Sequence, residues 1–410
     1  MSRTTRRVGM VVLAFVLGVV VTRMVERALP DEPAAESVHR VPARGGELSL
    51  TPSLLVEGAE GPGGTFRIRA GAAAPAPGGE IEARDVQIEE PRGGWTLQAR
   101  RATVRARDPR APAVVELAGG VRARARQAFA TWELGVERLR VEFSRTVKDR
   151  ATLSFEGALE ISGERTEEAP PSWPARLLLR GEGGTLRIDG PAIHARIAGP
   201  YVLEGWNAIV PGGPPRIRVI GESALEFEEG TGGESRKVIL DGRARIETEH
   251  FTLEVDRGAK IELRPAGDPF VEAPGASIEF LSVPGWPWLD STRATCDGTA
   301  VLDGSRLRIE GGVRARGPWG ELCADSIDAA ADPGGGLGEF RAQGKVRLAL
   351  RDIEGSCAQG DELLWDRLGP EAGTGVLLGR PARLVSGIEG TTLEADSFEL
   401  DIGREGIRIR

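Results

Sequence analysis

Residues able to do chemistry are few in this chain, and their spacing is wrong for most reactions. Only three histidines occur, His39, His194 and His250. None has a second His or Cys at the spacing that closes a metal site, so no metal is expected. No G-x-S-x-G, H-E-x-x-H, P-loop or dinucleotide fingerprint occurs, so neither an enzyme nor a cofactor is expected. Carboxylates are plentiful, and Glu247 with Glu249 could suggest glycosidase chemistry. Two residues apart on a strand, however, they share one wet face and read as a solvated stripe. Cys296, Cys323 and Cys357 lie in the last third of the chain, and an odd count leaves at least one thiol unpaired within it. Cys323 and Cys357 are 34 residues apart. A bridge between neighbouring strands and a role as small buried fillers both stand open.

The elements that would position such residues are strands. From Glu47 onward apolar or small residues alternate with charged ones, as in Thr65 to Ala70, Glu80 to Glu89, Arg306 to Glu310, Lys345 to Leu350 and Gly406 to Arg410. A period of two is that of a sheet with one dry and one wet side. In FTLEVD and RLRIEGGVRA the alternation places Phe251, Leu253, Val255, Leu307 and Ile309 inward, with Glu254 and Arg308 outward. The 56 glycines and 27 prolines have no collagen period and punctuate short segments as turns. With 40% hydrophobic and 28% charged residues the chain is neither a disordered tail nor a multi-span membrane protein. A net charge of −8 argues against a body that tracks a phosphate backbone, so nucleic acid is not an expected partner.

The N-terminus is built differently. Arg3, Arg6 and Arg7 precede an uncharged apolar run from Val8 to Val21, which Arg23 ends. This reads as a cytoplasmic tail over 1–7 and a single transmembrane helix over 8–27, with everything beyond it across the membrane. A cleaved signal peptide is the competing reading, although no A-x-A site follows Val21 at the usual distance. Residues 28–46, rich in Pro, Ala and charge, form a linker.

The body repeats. Gly355, Asp361, Leu363, Trp365 and Asp366 recur 35 residues later as Gly390, Asp396, Phe398, Leu400 and Asp401, and Gly344 recurs as Gly379. An array of like units is therefore expected, each made of strands joined through glycine turns. Trp286, Pro287 and Trp288 form the densest aromatic spot, readable as a self-packed turn or as a loop at a membrane interface or groove.

An apolar strand ending in Gly (ELAGGVRARA, FRAQGKVRLAL, VLLGRPARLVS), followed by G-x-x-L-x-A-D-x-F-x-L-D, resembles the OstA-like repeats of lipopolysaccharide-export periplasmic proteins. Residues 1 to about 130 resemble the membrane-anchored members of that family, and those from about 300 resemble its soluble bridge members. The middle matches only through VILDGRARIETEHFTLEVDRGAKIEL. The resemblance implies an elongated open β-jellyroll (a β-taco) divided into units at 47–165, 166–290 and 291–410. It implies a periplasmic body on a single-pass inner-membrane anchor, with lipopolysaccharide or another acylated lipid as ligand. Its implied partners are other β-jellyroll bridge proteins and an inner-membrane ABC transporter complex. The inward set Phe251, Leu253, Val255, Leu307 and Ile309 would then line a lipid groove. The last segment, EGIRIR, is still alternating, so Ile407, Arg408 and Ile409 form either an edge strand that docks another unit or the closing piece of the last rung. A non-catalytic scaffold of the envelope is the alternative function, and a polysaccharide-active enzyme a third.

Overall fold

The computed structural model describes residues 54–57, 67–76, 80–90, 95–108, 111–126, 130–143, 150–167, 175–189, 192–206, 217–229, 236–248, 251–263, 270–281, 291–303, 306–331, 337–350, 356–368, 372–387, 390–403 and 406–409. The expected transmembrane segment and linker lie outside them, as do His39, His250, Glu249 and the Trp286–Trp288 turn. Among the described residues no helix is long and apolar enough to cross a membrane.

The described elements are strands, as the two-residue period requires. In chain order they are β1 (Leu54–Glu57), β2 (Arg67–Ala70), β3 (Ala72–Ala76), β4 (Glu80–Glu90), β5 (Trp95–Asp108), β6 (Ala111–Arg126), β7 (Ala130–Phe143), β8 (Arg150–Arg165), β9 (Arg176–Asp189), β10 (Ala192–Ala198) and β11 (Tyr201–Trp206). There follow β12 (Ile217–Gly221), β13 (Ala224–Glu229), β14 (Arg236–Asp241), β15 (Ala244–Thr248), β16 (Phe251–Val255), β17 (Ala259–Leu263), β18 (Phe270–Pro274), β19 (Ala276–Phe280), β20 (Arg293–Cys296) and β21 (Thr299–Asp303). The last are β22 (Arg306–Gly317), β23 (Gly320–Ala331), β24 (Leu337–Leu350), β25 (Cys357–Leu368), β26 (Ala372–Val385), β27 (Thr392–Gly403) and β28 (Gly406–Ile409). They fall into two compact units: one holds β1 to β11 and most of β13, the other β12 and β14 to β28. Each unit is a long sheet of antiparallel strands.

One device shapes both units. Every long pass of the chain is interrupted near its middle, either by a bulge, as between Gln343 and Val346 of β24, or by a break between two short strands, as between β16 and β17. Each pass thus contributes one segment to each of two half-sheets. At several bulges a glycine of one strand lies against a longer side chain of the strand before it. Gly344 (φ 74°) lies against Asp325 of the previous strand, so that a Cβ on Gly344 would sit 2.8 Å from the Asp325 Cβ. Gly157 (φ 86°) lies on Glu137 in the same way, at 2.9 Å. Glycine serves both needs at once, accepting the left-handed backbone and vacating the space a neighbour fills. From β22 to β27 glycine and acid bends take turns, so the structure there repeats every second strand. This accounts for the 35-residue period: Asp361 and Asp396 mark the bends of β25 and β27, while Gly344 and Gly379 belong to β24 and β26 between them.

The core is the shared apolar face of the two half-sheets. In the first unit the register runs Leu97, Ala123, Leu134, Ile161, Leu179, Leu203 across six strands, with no polar residue in the row. Leu179 is 0% exposed and Trp132 lies across Gly163 of the next strand. A single layer of strands leaves its dry face open to water. Full burial therefore needs a cover, and the line of bends supplies it by turning one half-sheet toward the other. The wet face carries cross-strand ion pairs, such as Arg105 with Glu80 at 2.6 Å and Arg180 with Glu160 at 2.9 Å. These exposed pairs fix register more than they add stability.

Candidate functional site

In the second unit, two apolar rows run across the strands, one in each half-sheet. In the first, Val219 of β12 stands opposite Ile246 of β15, and the row continues through Leu253, Ile278, Ala294 and Ala315 to Leu322, Leu348 and Ala358. In the second, Ile261 of β17 leads to Val271, Leu302, Leu307, Ala329, Phe340 and Trp365. Apart from the indole N–H of Trp365, neither row contains a charged or hydrogen-bonding side chain. Their chemistry is that of a hydrocarbon surface.

Burial along the rows is uneven. Ile246, Leu253 and Ile278 in one half-sheet, and Val271, Leu302 and Leu307 in the other, are only half-buried. Residues nearer the bends in the same strands, Val255, Ala273, Ala276 and Ile309, are buried. From β23 onward the first row closes up, with Leu322 at 2% and Leu348 and Ala358 at 0% exposed, while in the second Phe340 is again half-buried and Trp365 is buried. The dry face is thus packed along the bends throughout and loosens toward the strand ends over β15 to β22.

The residues expected to line a groove divide accordingly. Leu253 and Val255 lie on one half-sheet and Leu307 and Ile309 on the other, so they are not one contiguous patch. Leu253 and Leu307 belong to the half-buried rows, whereas Val255 and Ile309 are core. Phe251 has its backbone in β16, in register with Phe280, and its side chain is outside the described residues. Ile246, Ile278, Val271 and Leu302 are members that the sequence reading missed. The same alternation marks them in ARIET, ASIEF, FVEAP and TAVLD, but only the pairing shows that they stand beside Leu253 and Leu307.

The outward positions are polar. Glu254 meets Arg293 at 3.4 Å and Arg245 at 3.5 Å, and Arg308 meets Asp328 at 3.4 Å. Asp328 also accepts a two-pronged contact from Arg306, at 2.7 and 2.8 Å. The hydrogen bond from Arg306, reinforced by its charge and by Arg308, holds the Asp328 carboxyl below the usual carboxylate range. A pKa depressed in the folded state contributes stability above the unfolded value of about 3.9, and that contribution is lost as pH falls through the folded value. An acid titration of stability should therefore show a shallower loss below pH about 4 in Asp328→Asn than in the parent protein. An unchanged acid limb would mean that the contact has no energetic weight.

The other chemistry-bearing residues are dispersed. Glu247 is held by Arg245 at 2.8 Å and Arg218 at 3.8 Å on the wet face. His194 sits exposed beside Glu228 at 3.4 Å. Among the described residues no group of three His, Cys, Asp or Glu could hold a metal ion. All three cysteines are free. Cys323 and Cys357 are in β23 and β25, with β24 between them and facing Arg347 and Ala349 respectively. Two strand spacings, about 9.6 Å, exceed the reach of a disulfide. Cys296 is buried, its Sγ 3.6 Å from the Ala276 carbonyl oxygen, and burial pushes its thiol pKa up. It is a core filler.

At the C-terminal end, β28 pairs with β27 from Leu400↔Ile409 to Gly403↔Gly406, placing Arg408 opposite Asp401 and Ile407 opposite Ile402. Ile409 thereby extends the row of Trp365, Gly375 and Leu400. β28 also approaches β24, and Leu393, at 59% the most exposed large apolar residue described, lies on the stretch of β27 that β28 does not cover. Comparison with protein-family models, with curated proteins and with solved structures finds no match for this chain.

Proposed function

We propose that this chain is a membrane-anchored periplasmic lipid-binding protein that bridges the envelope during export of lipopolysaccharide or a related acylated lipid. In this reading the two half-sheets are the walls of an open β-jellyroll and its dry face holds acyl chains. The observation that carries it is the pair of half-buried rows, Ile246, Leu253 and Ile278 against Val271, Leu302 and Leu307, in which no side chain can hydrogen-bond. A hydrocarbon ligand asks for nothing else, and the hydrophobic effect rewards it in proportion to the area covered. The anchor keeps the body at the inner membrane beside an ABC transporter, and further jellyroll units receive the lipid at the far end. The Ile407, Arg408 and Ile409 strand and the uncovered part of β27 serve that contact by adding a strand to the edge.

A second reading, a non-catalytic scaffold, is favoured by the 0% exposure of Leu348, Ala342, Leu363 and Leu377, since a face closed on itself has no room for a ligand. Photo-crosslinking in the anchored, full-length protein separates the two. A photoreactive residue at Leu253 or Leu307 should capture lipid, and one at Glu254 or Arg308 should not. Equal capture at all four positions, or capture at none, would reject the carrier in favour of the scaffold.

A further inference from the structure

The wet face of the first unit pairs its charges across neighbouring strands, except over one stretch. Arg105 is held by Glu80, Arg124 by Glu133, Arg138 by Glu156 and Arg140 by Glu116. Near the bends of β4 to β6 that pattern stops. Arg84 of β4 and Arg101 of β5 stand opposite each other in register, and like charges so placed destabilise a sheet. Where two arginines meet in the second unit, Arg293 and Arg316, Glu254 and Glu321 compensate them. Among the described residues Arg84 and Arg101 have no such acid, and neither have Arg69, Arg100 and Arg122. Arg69, Arg100, Arg101 and Arg122 each adjoin a buried residue of the dry face, so they point to the wet side, and Arg84 joins them through its register with Arg101. On one side of the bends the register runs Arg69, Gln87, Gln98, Arg122; on the other it runs Ala72, Arg84, Arg101, Ala118. Neither row holds an acid. Arg100 lies between the rows, against Gly119. The acids at the neighbouring bends turn away: the Asp85 Oδ2 is 3.4 Å from where a Cβ on Gly71 would stand, and Glu137 leans over Gly157. Glu82 lies further along β4, opposite Thr103. Five exposed guanidiniums are left facing water, with small and amide side chains between them.

We infer that this patch is a contact face for the headgroups of an anionic phospholipid leaflet. Each guanidinium offers a planar fork of donors that fits a phosphate, and the Gln98 amide adds two more. The excess is local, because the whole chain carries −8. Anionic lipids therefore attract this face and repel the body as a whole, which gives the contact an orientation. From Arg69 to Arg122 the row crosses three strand spacings, about 14 Å. Side chains that are all exposed and so spread each meet a different phosphate, which a leaflet supplies and a single small anion does not. The inference goes beyond the carrier reading, because it uses the wet face of the sheet, and takes from that reading only the closeness of the body to a membrane.

The test is arginine footprinting with phenylglyoxal on the full-length protein, reconstituted with vesicles of phosphatidylcholine alone or of phosphatidylcholine and phosphatidylglycerol in equal parts. Mass spectrometry reads the adducts. With the anionic vesicles Arg69, Arg84, Arg100, Arg101 and Arg122 should react about fivefold more slowly than with the neutral ones, the factor for one cationic side chain at an anionic surface. Arg257, exposed in the second unit and without an ion pair among the described residues, should not change. High salt should abolish the protection. Arg84→Gln combined with Arg101→Gln removes the like-charge pair, so it should fold at least as well by circular dichroism and yet lose protection at Arg100 and Arg122. Equal reactivity in both vesicles, equal protection of Arg257, or protection that the double variant keeps would overturn the contact face. Protection by inorganic phosphate or duplex DNA, but not by the anionic vesicles, would overturn it in favour of those ligands. Flotation tests the anchor separately. A chain that does not float with neutral vesicles is not anchored; flotation with the anionic vesicles alone then upholds the contact face, and flotation with neither overturns it.

Discussion

Leu363→Ala should lower stability by about 3–4 kcal/mol and Leu307→Ala by only about 1 kcal/mol, although both are leucines on the dry face of the same sheet. Leu363 is 0% exposed and wedged between Ala342 and Leu377 in the row next to the bends. Truncation there leaves a cavity that its fully packed neighbours cannot close, so lost transfer energy and cavity cost add. Leu307 is half-buried between Leu302 and Ala329, and part of its surface already faces the open stretch. Urea unfolding of the full-length protein, followed by far-UV circular dichroism, reads the difference as a midpoint shift. Because arrays of repeats can lose cooperativity, the slopes must agree before midpoints are compared. Equal losses would mean that the two stretches are packed alike, and would remove the physical basis for a ligand over β15 to β22.

Gly163→Val should be more damaging than Gly120→Ala, by about 1 kcal/mol, rising to about 2 kcal/mol or more where the indole loses its packing altogether. Gly163 pairs with Trp132, and the indole occupies the space where a Cβ would stand. A valine there must drive a buried indole out of its rotamer or push the strands apart, and overpacking of this kind costs about 1–3 kcal/mol. Losing the indole's packing altogether would cost more, because large aromatic truncations reach about 3–5 kcal/mol. Gly120 has φ 85° but nothing within 4 Å of its Cβ position, so alanine there meets backbone strain alone. That strain is about 1–2 kcal/mol. Loss of the near-UV signal of the buried tryptophan in Gly163→Val, with retention in Gly120→Ala, is the spectroscopic counterpart. Should both variants unfold at the same urea concentration, the Trp132 contact contributes no more than the turn geometry does.

Much of the fold was legible because its period is short. Alternation in RLRIEGGVRARG puts Ile309 inward and Arg308 outward whatever the neighbouring strand is, and the structure has Ile309 buried and Arg308 exposed. The 35-residue repeat was legible too, since the passes from β24 to β27 carry a glycine and an acid in turn at their bends. Three features were not. Leu253 and Leu307 carry equal inward signals in the sequence, yet they belong to different half-sheets, because pairing partners are set by hairpin geometry over tens of residues. The nearness of Cys323 and Cys357 that their spacing left open fails, because one repeat is two strands and β24 intervenes. The Phe340–Trp365 pair is 25 residues apart in sequence and shows no motif, and register alone brings the rings together.

The sequence by itself determined that the body is all-β, which face of a strand is dry, that a 35-residue unit recurs, and that metal-ligand spacing is lacking; the glycines that it offered as turns between strands, Gly344 and Gly379, lie instead at bends inside β24 and β26. These properties are local: side-chain direction alternates with every residue, and a glycine or an acid at a bend acts on its own stretch of backbone. Only the tertiary structure decided which strands stand side by side and which inward residues are sealed. It also decided where the interior loosens, at Ile246, Leu253, Ile278, Val271, Leu302 and Leu307, and where it closes on Trp365. Burial is a property of what surrounds a residue, and the strands that stand beside it come from other passes of the chain.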